Sequence, residues 1–263
     1  MMRRLAGKAL SLGDRMLLPA SEAWWGRGPL LQPSELGVSA CVVLAPHPDD
    51  ETLGCGATIA GLTGSGVDVA VIVATDGRAG GVGVDREQLG RVRLEELMEA
   101  TAELGLTADR VRSWGLEDGT LSRQSDKLRA LIRQSLEELT VDTVFVTCRI
   151  DPHPDHSALA AAAFDVFSRR GGQILEYPVW SRLRPARALL STAAPRYFTS
   201  RAHEVVRVGA AGSLERKTAA LESYRSQLRN GAADRLNASG GVIDDSFYAM
   251  FLRGEECFAR TRL

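Results

Sequence analysis

The chain carries only four cysteines, almost no surplus charge of either sign and no long apolar run, and each shortage excludes a class of protein. Its four cysteines (Cys41, Cys55, Cys148 and Cys257) are scattered among 263 residues with no CxxC pair. They read as reduced thiols of a cytoplasmic protein, not as a disulfide frame. The net charge of −1, from 32 basic and 33 acidic residues, lacks the basic excess of a duplex nucleic-acid binder, so no nucleic-acid partner is expected. No apolar run approaches the ~20 residues that a transmembrane helix requires. Lys8, Asp14 and Arg15 interrupt the leucines of the first 18 residues, which argues against a signal peptide. No G-x-S-x-G elbow occurs, so a serine hydrolase is excluded. The 44% apolar and 25% charged content is that of an ordinary globular chain, long enough for one large domain or one domain with extensions.

What the chain does have is concentrated. Three of its four histidines lie in two short runs, Ala45-Pro46-His47-Pro48-Asp49-Asp50-Glu51 and His153-Pro154-Asp155-His156, each rich in carboxylates. Imidazole nitrogen with anionic oxygen is the donor set of a divalent metal such as zinc.

The periodicity places both runs. Residues 40–45, 67–74, 111–114, 144–147 and 174–177 read as short buried strands. Residues 53–63, 91–104, 125–139, 157–168 and 214–228 read as helices, and the glycine-rich stretch 75–90 as a loop. Alternating strands and helices predict an α/β fold, Rossmann-like, with a mostly parallel sheet covered by helices on both faces. Ligands of such sheets bind at the carboxyl ends of the strands, and both histidine runs fall there. Residues 39–263 read as a single domain, preceded by an extension, 1–38. In that extension Leu5, Ala9, Leu12 and Met16 mark one face of a short basic helix, read as packing on the domain or a partner subunit in preference to lying on a membrane. Residues 19–38, with three prolines among glycines, read as an irregular lead-in.

His47 and Asp50, three residues apart at a strand-to-helix turn, can join His156 as metal ligands and leave a coordination position open for water. Metal binding lowers the pKa of that water to ~7. Asp49, beside a ligand yet free, is placed as general base. His153 can then act as an acid or steady a developing oxyanion, with Asp155 orienting an imidazole behind it.

These residues resemble the PIG-L or LmbE-like zinc-dependent deacetylases. Further segments are similar to that family: Thr75-Asp76-Gly77-Arg78-Ala79-Gly80, Arg93-Leu94-Glu95-Glu96-Leu97, Leu116-Glu117-Asp118-Gly119, Glu176-Tyr177-Pro178-Val179-Trp180 and Tyr224-Arg225-Ser226-Gln227. The resemblance implies hydrolysis of the acetyl amide of an N-acetylglucosamine-type substrate by zinc hydroxide, with Fe²⁺ as a second metal the site could suit. By the same resemblance His47, Asp50 and His156 hold the metal and Asp49 is the base. A protonated His153 serves the oxyanion, and Arg86 and Asp118 hold sugar hydroxyls. The implied partner is a small amino-sugar conjugate, with self-association left open. A zinc amidase for another amide, such as a thiol conjugate, and a non-catalytic metal-binding relative are the alternatives. A nucleotide module resting on Gly54-Cys55-Gly56 lacks its third glycine and leaves the histidines without a purpose. Six arginines between 182 and 207 face one acid, Glu204. They suit a phosphorylated substrate, but a solvated basic surface is the simpler expectation, with His203 an ordinary surface histidine.

Overall fold

The computed structural model describes residues 11–80, 85–199, 203–227 and 245–263. Among them is an eight-stranded sheet built from β1 (Leu30–Leu31), β2 (Ala40–Ala45), β3 (Asp68–Thr75), β4 (Val111–Leu116), β5 (Thr143–Thr147), β6 (Gln173–Tyr177), β7 (His203–Gly209) and β8 (Glu255–Arg262). The strand order is β1-β7-β8-β6-β5-β2-β3-β4. All pairings are parallel except those of β8, which runs antiparallel to β6 and β7.

β2 explains why the sheet is buried on both sides. Its sequence, ACVVLA, has no polar residue, and alternate side chains enter different cores. Cys41, Val43 and Ala45 join one core with residues of α2 (Asp50–Gly64), α3 (Arg86–Glu103) and α6 (Leu214–Glu222). Val42 and Leu44 join the other with residues of α4 (Ser125–Glu138) and α5 (Pro154–Phe167). From β2 the chain builds β3 and β4 to one side, then returns to place β5 and β6 on the other. That reversal opens a crevice at the carboxyl ends of β2 and β5, where ligands bind in open α/β sheets.

The glycines singled out in α2 serve packing. A Cβ on Gly54 would stand 2.1 Å from Tyr177 Cδ2, and the Tyr177 hydroxyl donates to the Leu44 carbonyl at 2.9 Å. Gly54→Ala is expected to cost about 1–3 kcal/mol by overpacking, read as a lower denaturant midpoint with an unchanged m-value. Beside it Lys217 pairs with Glu256 at 2.6 Å, both buried. Glu256 also accepts the Ala57 and Thr58 amides, which ties β8 to α2.

Several expectations are corrected. Residues 19–25 are not irregular: helix α1 spans Leu12–Trp25, straight through Pro19. A capping box of Ser11 and Asp14 starts it, and reciprocal capping of this kind satisfies the first free amides. Leu12 and Met16 of the expected apolar face are 76% and 72% exposed and so do not pack on the domain; Leu5 and Ala9 lie outside the described residues. α3 begins at Arg86, capped by Asp85, so the loop is shorter than its glycines suggest. α6 stops at Glu222, and the following residues turn back toward the crevice.

The arginine segment is not a uniformly solvated surface. Arg182 pairs with Glu22 at 3.0 Å, Arg184 with Asp14 at 3.5 Å and Arg207 with Glu255 at 2.9 Å. The first two clamp α1 onto the single-turn helices Trp180–Leu183 and Pro185–Ala188. His203 is buried, its ring 4.7 Å from that of Tyr197.

Candidate active site

Two turns supply the site. After β2 the chain makes the 46–49 turn, held by Thr75, whose amide and hydroxyl both donate to the Pro46 carbonyl at 3.0 and 2.9 Å. Gln227 donates to the Pro48 carbonyl at 2.6 Å. The turn ends at Asp49, the residue before α2, with φ 120°. A non-glycine residue in that region costs of order 1–3 kcal/mol and marks a functional constraint. Buried Glu51 fixes the unusual backbone by accepting the Asp49 amide at 3.1 Å and the Tyr224 hydroxyl. Its role is therefore to hold the turn. The Asp49 carboxylate caps nothing and accepts no hydrogen bond from the described residues.

The second turn follows β5 and is organised by Asp151, a residue that the sequence motifs did not single out. One of its oxygens accepts the His153 amide at 3.1 Å and lies 3.5 Å from His156 Nδ1. The other accepts the Trp180 and Ser181 amides at 2.9 and 3.1 Å. Its place two residues before His153 was the available signal.

Of the expected ligands, Asp50 approaches both histidines. Asp50 Oδ2 lies 3.2 Å from both His47 Nδ1 and His156 Nε2. Tetrahedral zinc with bonds of about 2.0–2.1 Å separates its ligands by about 3.4 Å, so these two edges fit such an ion. Ring nitrogens of His47, His153 and His156 also converge within 4.8 Å, as do donor atoms of His47, Asp118 and Asp155. The buried carboxylates Asp49, Asp50, Asp118, Asp151 and Asp155 crowd the same volume, a negative surplus that a divalent cation would offset.

The protonation directions carry the same message. Burial opposes charging of His47, but Asp118, Asp155 and Asp50 outweigh it and raise its pKa well above the usual imidazole value. Burial likewise works against charge on His156, yet Asp50 and Asp151 bring it to about 9. Asp49 is pushed well above the carboxylate range by burial, then by the charges of Asp50 and Glu51. That makes it a stronger base.

His153 departs from the expectation of a protonated imidazole. Burial, with repulsion from His156 and His47, lowers it to about 3. Its Nδ1 accepts the Asp155 amide at 3.2 Å, which assigns the proton of the neutral ring to Nε2. That Nε2 is buried and unpartnered among the described residues.

Asp155 faces the imidazole of His47. Its carboxylate accepts the Gly119 and Leu121 amides at 2.7 and 3.0 Å and lies 3.3 Å from His47 Nε2. Asp118 Oδ1 stands 3.0 Å from the same nitrogen, and its Oδ2 accepts the Ala79 amide at 3.2 Å. Although burial favours its neutral form, the charge of His47 holds Asp118 down at about 2.

Arg86 is exposed on the first turn of α3. The arginine that reaches the site is Arg93, two turns further on and buried. It donates to the Gly77 carbonyl at 2.6 Å, and its Nε has no partner among the described residues. Gly77 has φ 68°, and a Cβ there would stand 2.5 Å from the guanidinium, so only glycine allows the approach. The R-x-x-E-L pattern contained Arg93, but its amphipathic setting read as helix packing.

Known proteins resemble this chain in sequence and in fold. The family model described as PIG-L, GlcNAc-PI de-N-acetylase, matches residues 42–167. A probable N-acetyl-α-D-glucosaminyl L-malate deacetylase 2 of Bacillus cereus is 33% identical over 138 residues, covering 49% of this chain and 60% of the relative. A 1D-myo-inositol 2-acetamido-2-deoxy-α-D-glucopyranoside deacetylase of Mycolicibacterium gilvum is 36% identical over 157 residues, 46% of this chain and 54% of the relative. The chain thus spans little more than half the length of these two. An uncharacterized deacetylase of Escherichia coli K12, YaiS, is 32% identical over 163 residues, covering 60% of this chain and 84% of the relative. Among solved structures, N,N'-diacetylchitobiose deacetylase from Pyrococcus horikoshii shares the fold, with a TM-score of 0.62 and 20% identity over 97% of this chain and 95% of its own.

Proposed function

Since the chain belongs to the PIG-L (LmbE-like) deacetylase family, we propose that it is a metal-dependent hydrolase removing the acetyl group from an N-acetylglucosamine-type amino sugar. The observation that carries this reading is the meeting of His47, Asp50 and His156 in the crevice between β2 and β5, with Asp49 and His153 beside them. Zinc suits the nitrogen and carboxylate donors, and Fe²⁺ is the second candidate. When bound, the cation supplies Lewis acidity, acidifying water and polarising a carbonyl oxygen.

The chain's own groups do the rest. Asp49, which accepts no hydrogen bond from the described residues, takes a proton from the attacking water. His153 presents Nε2–H to the amide oxygen, where charge develops as the tetrahedral adduct forms. Its neutral state suits a donor that polarises without surrendering its proton. Asp49 then returns the proton to the departing amine, so acetic acid and free amine form with no net proton change at the base, and the acid's proton passes to the amine or to solvent. Asp155 holds the 119–121 loop and the His47 ring, a positioning role.

Arg93 replaces Arg86 in this reading as the arginine that contacts sugar hydroxyls, with Asp118 across the crevice. Arg93→Met is expected to raise KM about tenfold or more with a smaller loss in kcat, because a charged hydrogen-bond donor to bound substrate is removed. Steady-state kinetics of acetate release give that split. The reaction fits a cytoplasmic setting; none of the described helices is long and apolar enough to cross a membrane.

The test is acetate release from a panel of N-acetylglucosamine compounds: free sugar and inositol-, malate-, nucleotide- and thiol-conjugated forms. It is run with chelated enzyme and again after zinc is restored. Zinc-dependent acetate from one compound supports the reading and identifies the conjugate. Full metal loading without acetate from any member would sink it.

A further inference from the structure

One face of the molecule is apolar, exposed and bordered by positive charge. α1 turns Leu12, Met16, Pro19, Ala20 and Ala23 outward, and their spacing places them on a single stripe of the helix. Leu189 and Leu190, just after Pro185–Ala188, are 47% and 84% exposed. Between α1 and that turn opens a groove of about 190 Å³, lined by apolar side chains including Leu17, Trp24, Ile150, Leu189 and Phe198. Contiguous exposed apolar surface of this kind marks a binding face.

The charge around it is one-sided. Within residues 11–27 and 184–199 the exposed charged side chains are Arg15, Arg27, Arg187 and Arg196. The two acids of these segments turn inward, Asp14 to Arg184 and Glu22 to Arg182. Residues 1–10 add Arg3, Arg4 and Lys8 to the sequence and no acid.

We propose that this face docks on an anionic lipid bilayer. Leucine and methionine side chains bury at the headgroup boundary while arginines meet lipid phosphates, the division of labour of a surface-bound amphipathic helix. Charge decides against a second copy of the chain. A two-fold contact places the same patch against itself, and here it would oppose arginine with arginine.

The face adjoins the catalytic rim. Ile150 and Ser181 line the groove, and Asp151 lies between them and the site, accepting the Ser181 amide with one oxygen and the His153 amide with the other. A docked molecule therefore meets amino sugars at or near a membrane surface. The inference is independent of the deacetylase reading, because binding is measured without turnover.

The experiment is co-sedimentation of the full chain with vesicles of phosphatidylglycerol mixed with phosphatidylcholine, and with phosphatidylcholine alone. Binding to the anionic vesicles is expected, about tenfold or more weaker to the neutral ones and falling as salt rises. Leu12→Ser with Leu190→Ser should lower anionic-vesicle binding about tenfold. Arg15→Glu with Arg187→Glu should remove the salt-sensitive part. None of these four residues belongs to the catalytic machinery, so circular dichroism and acetate release from a soluble substrate should not change. Equal sedimentation of the parent and both double variants would overturn the proposal. So would the absence of vesicle binding together with a dimer, seen by sedimentation velocity, that Leu12→Ser with Leu190→Ser dissolves.

Discussion

Asp49→Asn is expected to fold, to keep its metal ion and to release acetate at about one-thousandth of the parental rate, in the range that losing a general base produces. Asparagine preserves the shape of the side chain and is among the non-glycine residues that best tolerate positive φ, so the φ 120° turn survives. Glu51 still accepts the amide of residue 49, and the contacts of Asp50 with His47 and His156 do not involve it. Only the capacity to accept a proton is lost. Acetate release at saturating substrate, together with metal content by elemental analysis, separates the two effects. A metal-loaded Asp49→Asn enzyme working within a few-fold of the parent would remove Asp49 from proton transfer.

His156→Ala strikes the other half of the site and should abolish metal binding and activity together. Its Nε2 is one of the two nitrogens 3.2 Å from Asp50 Oδ2, so its loss removes one of the proposed metal donors. Metal content is expected to fall by an order of magnitude or more. Asp151→Asn, which leaves every proposed donor in place but weakens the support of the His153 turn, the His156 ring and the Trp180 and Ser181 amides, is the graded companion. Outer partners of metal ligands cost about 10- to 100-fold in affinity when altered. Far-UV circular dichroism controls for folding, since alanine leaves a buried cavity. Stoichiometric metal in folded His156→Ala would move the ion to the grouping of His47, Asp118 and Asp155.

The parts of this molecule written locally in the chain were the ones the sequence disclosed. β2 and β5 announce themselves as runs of valine, and the donors follow each strand within a few residues, so the crevice could be anticipated. β7 and β8 could not. β8 reads EECFARTR, too charged for a buried strand until Glu256 meets Lys217 and Arg260 meets Glu204 from distant parts of the chain. The same holds for α1, where Pro19 signals a break but the arginines at 182 and 184 hold the helix in place through Glu22 and Asp14. Arg93 was hidden differently. Its approach to the crevice depends on a glycine 16 residues earlier in the chain, a pairing visible only in three dimensions.

Position 49 sets the needs of the fold against those of the chemistry. Glycine would adopt the φ 120° backbone without strain, so the substitution that relaxes this turn also deletes the proposed base. Selection for thermal endurance alone would drift toward glycine there, and selection for turnover would hold the carboxylate. A library sorted first for heat resistance and then for acetate release should return opposite residues at this one site, making residue 49 a marker of whether a relative still works as a catalyst.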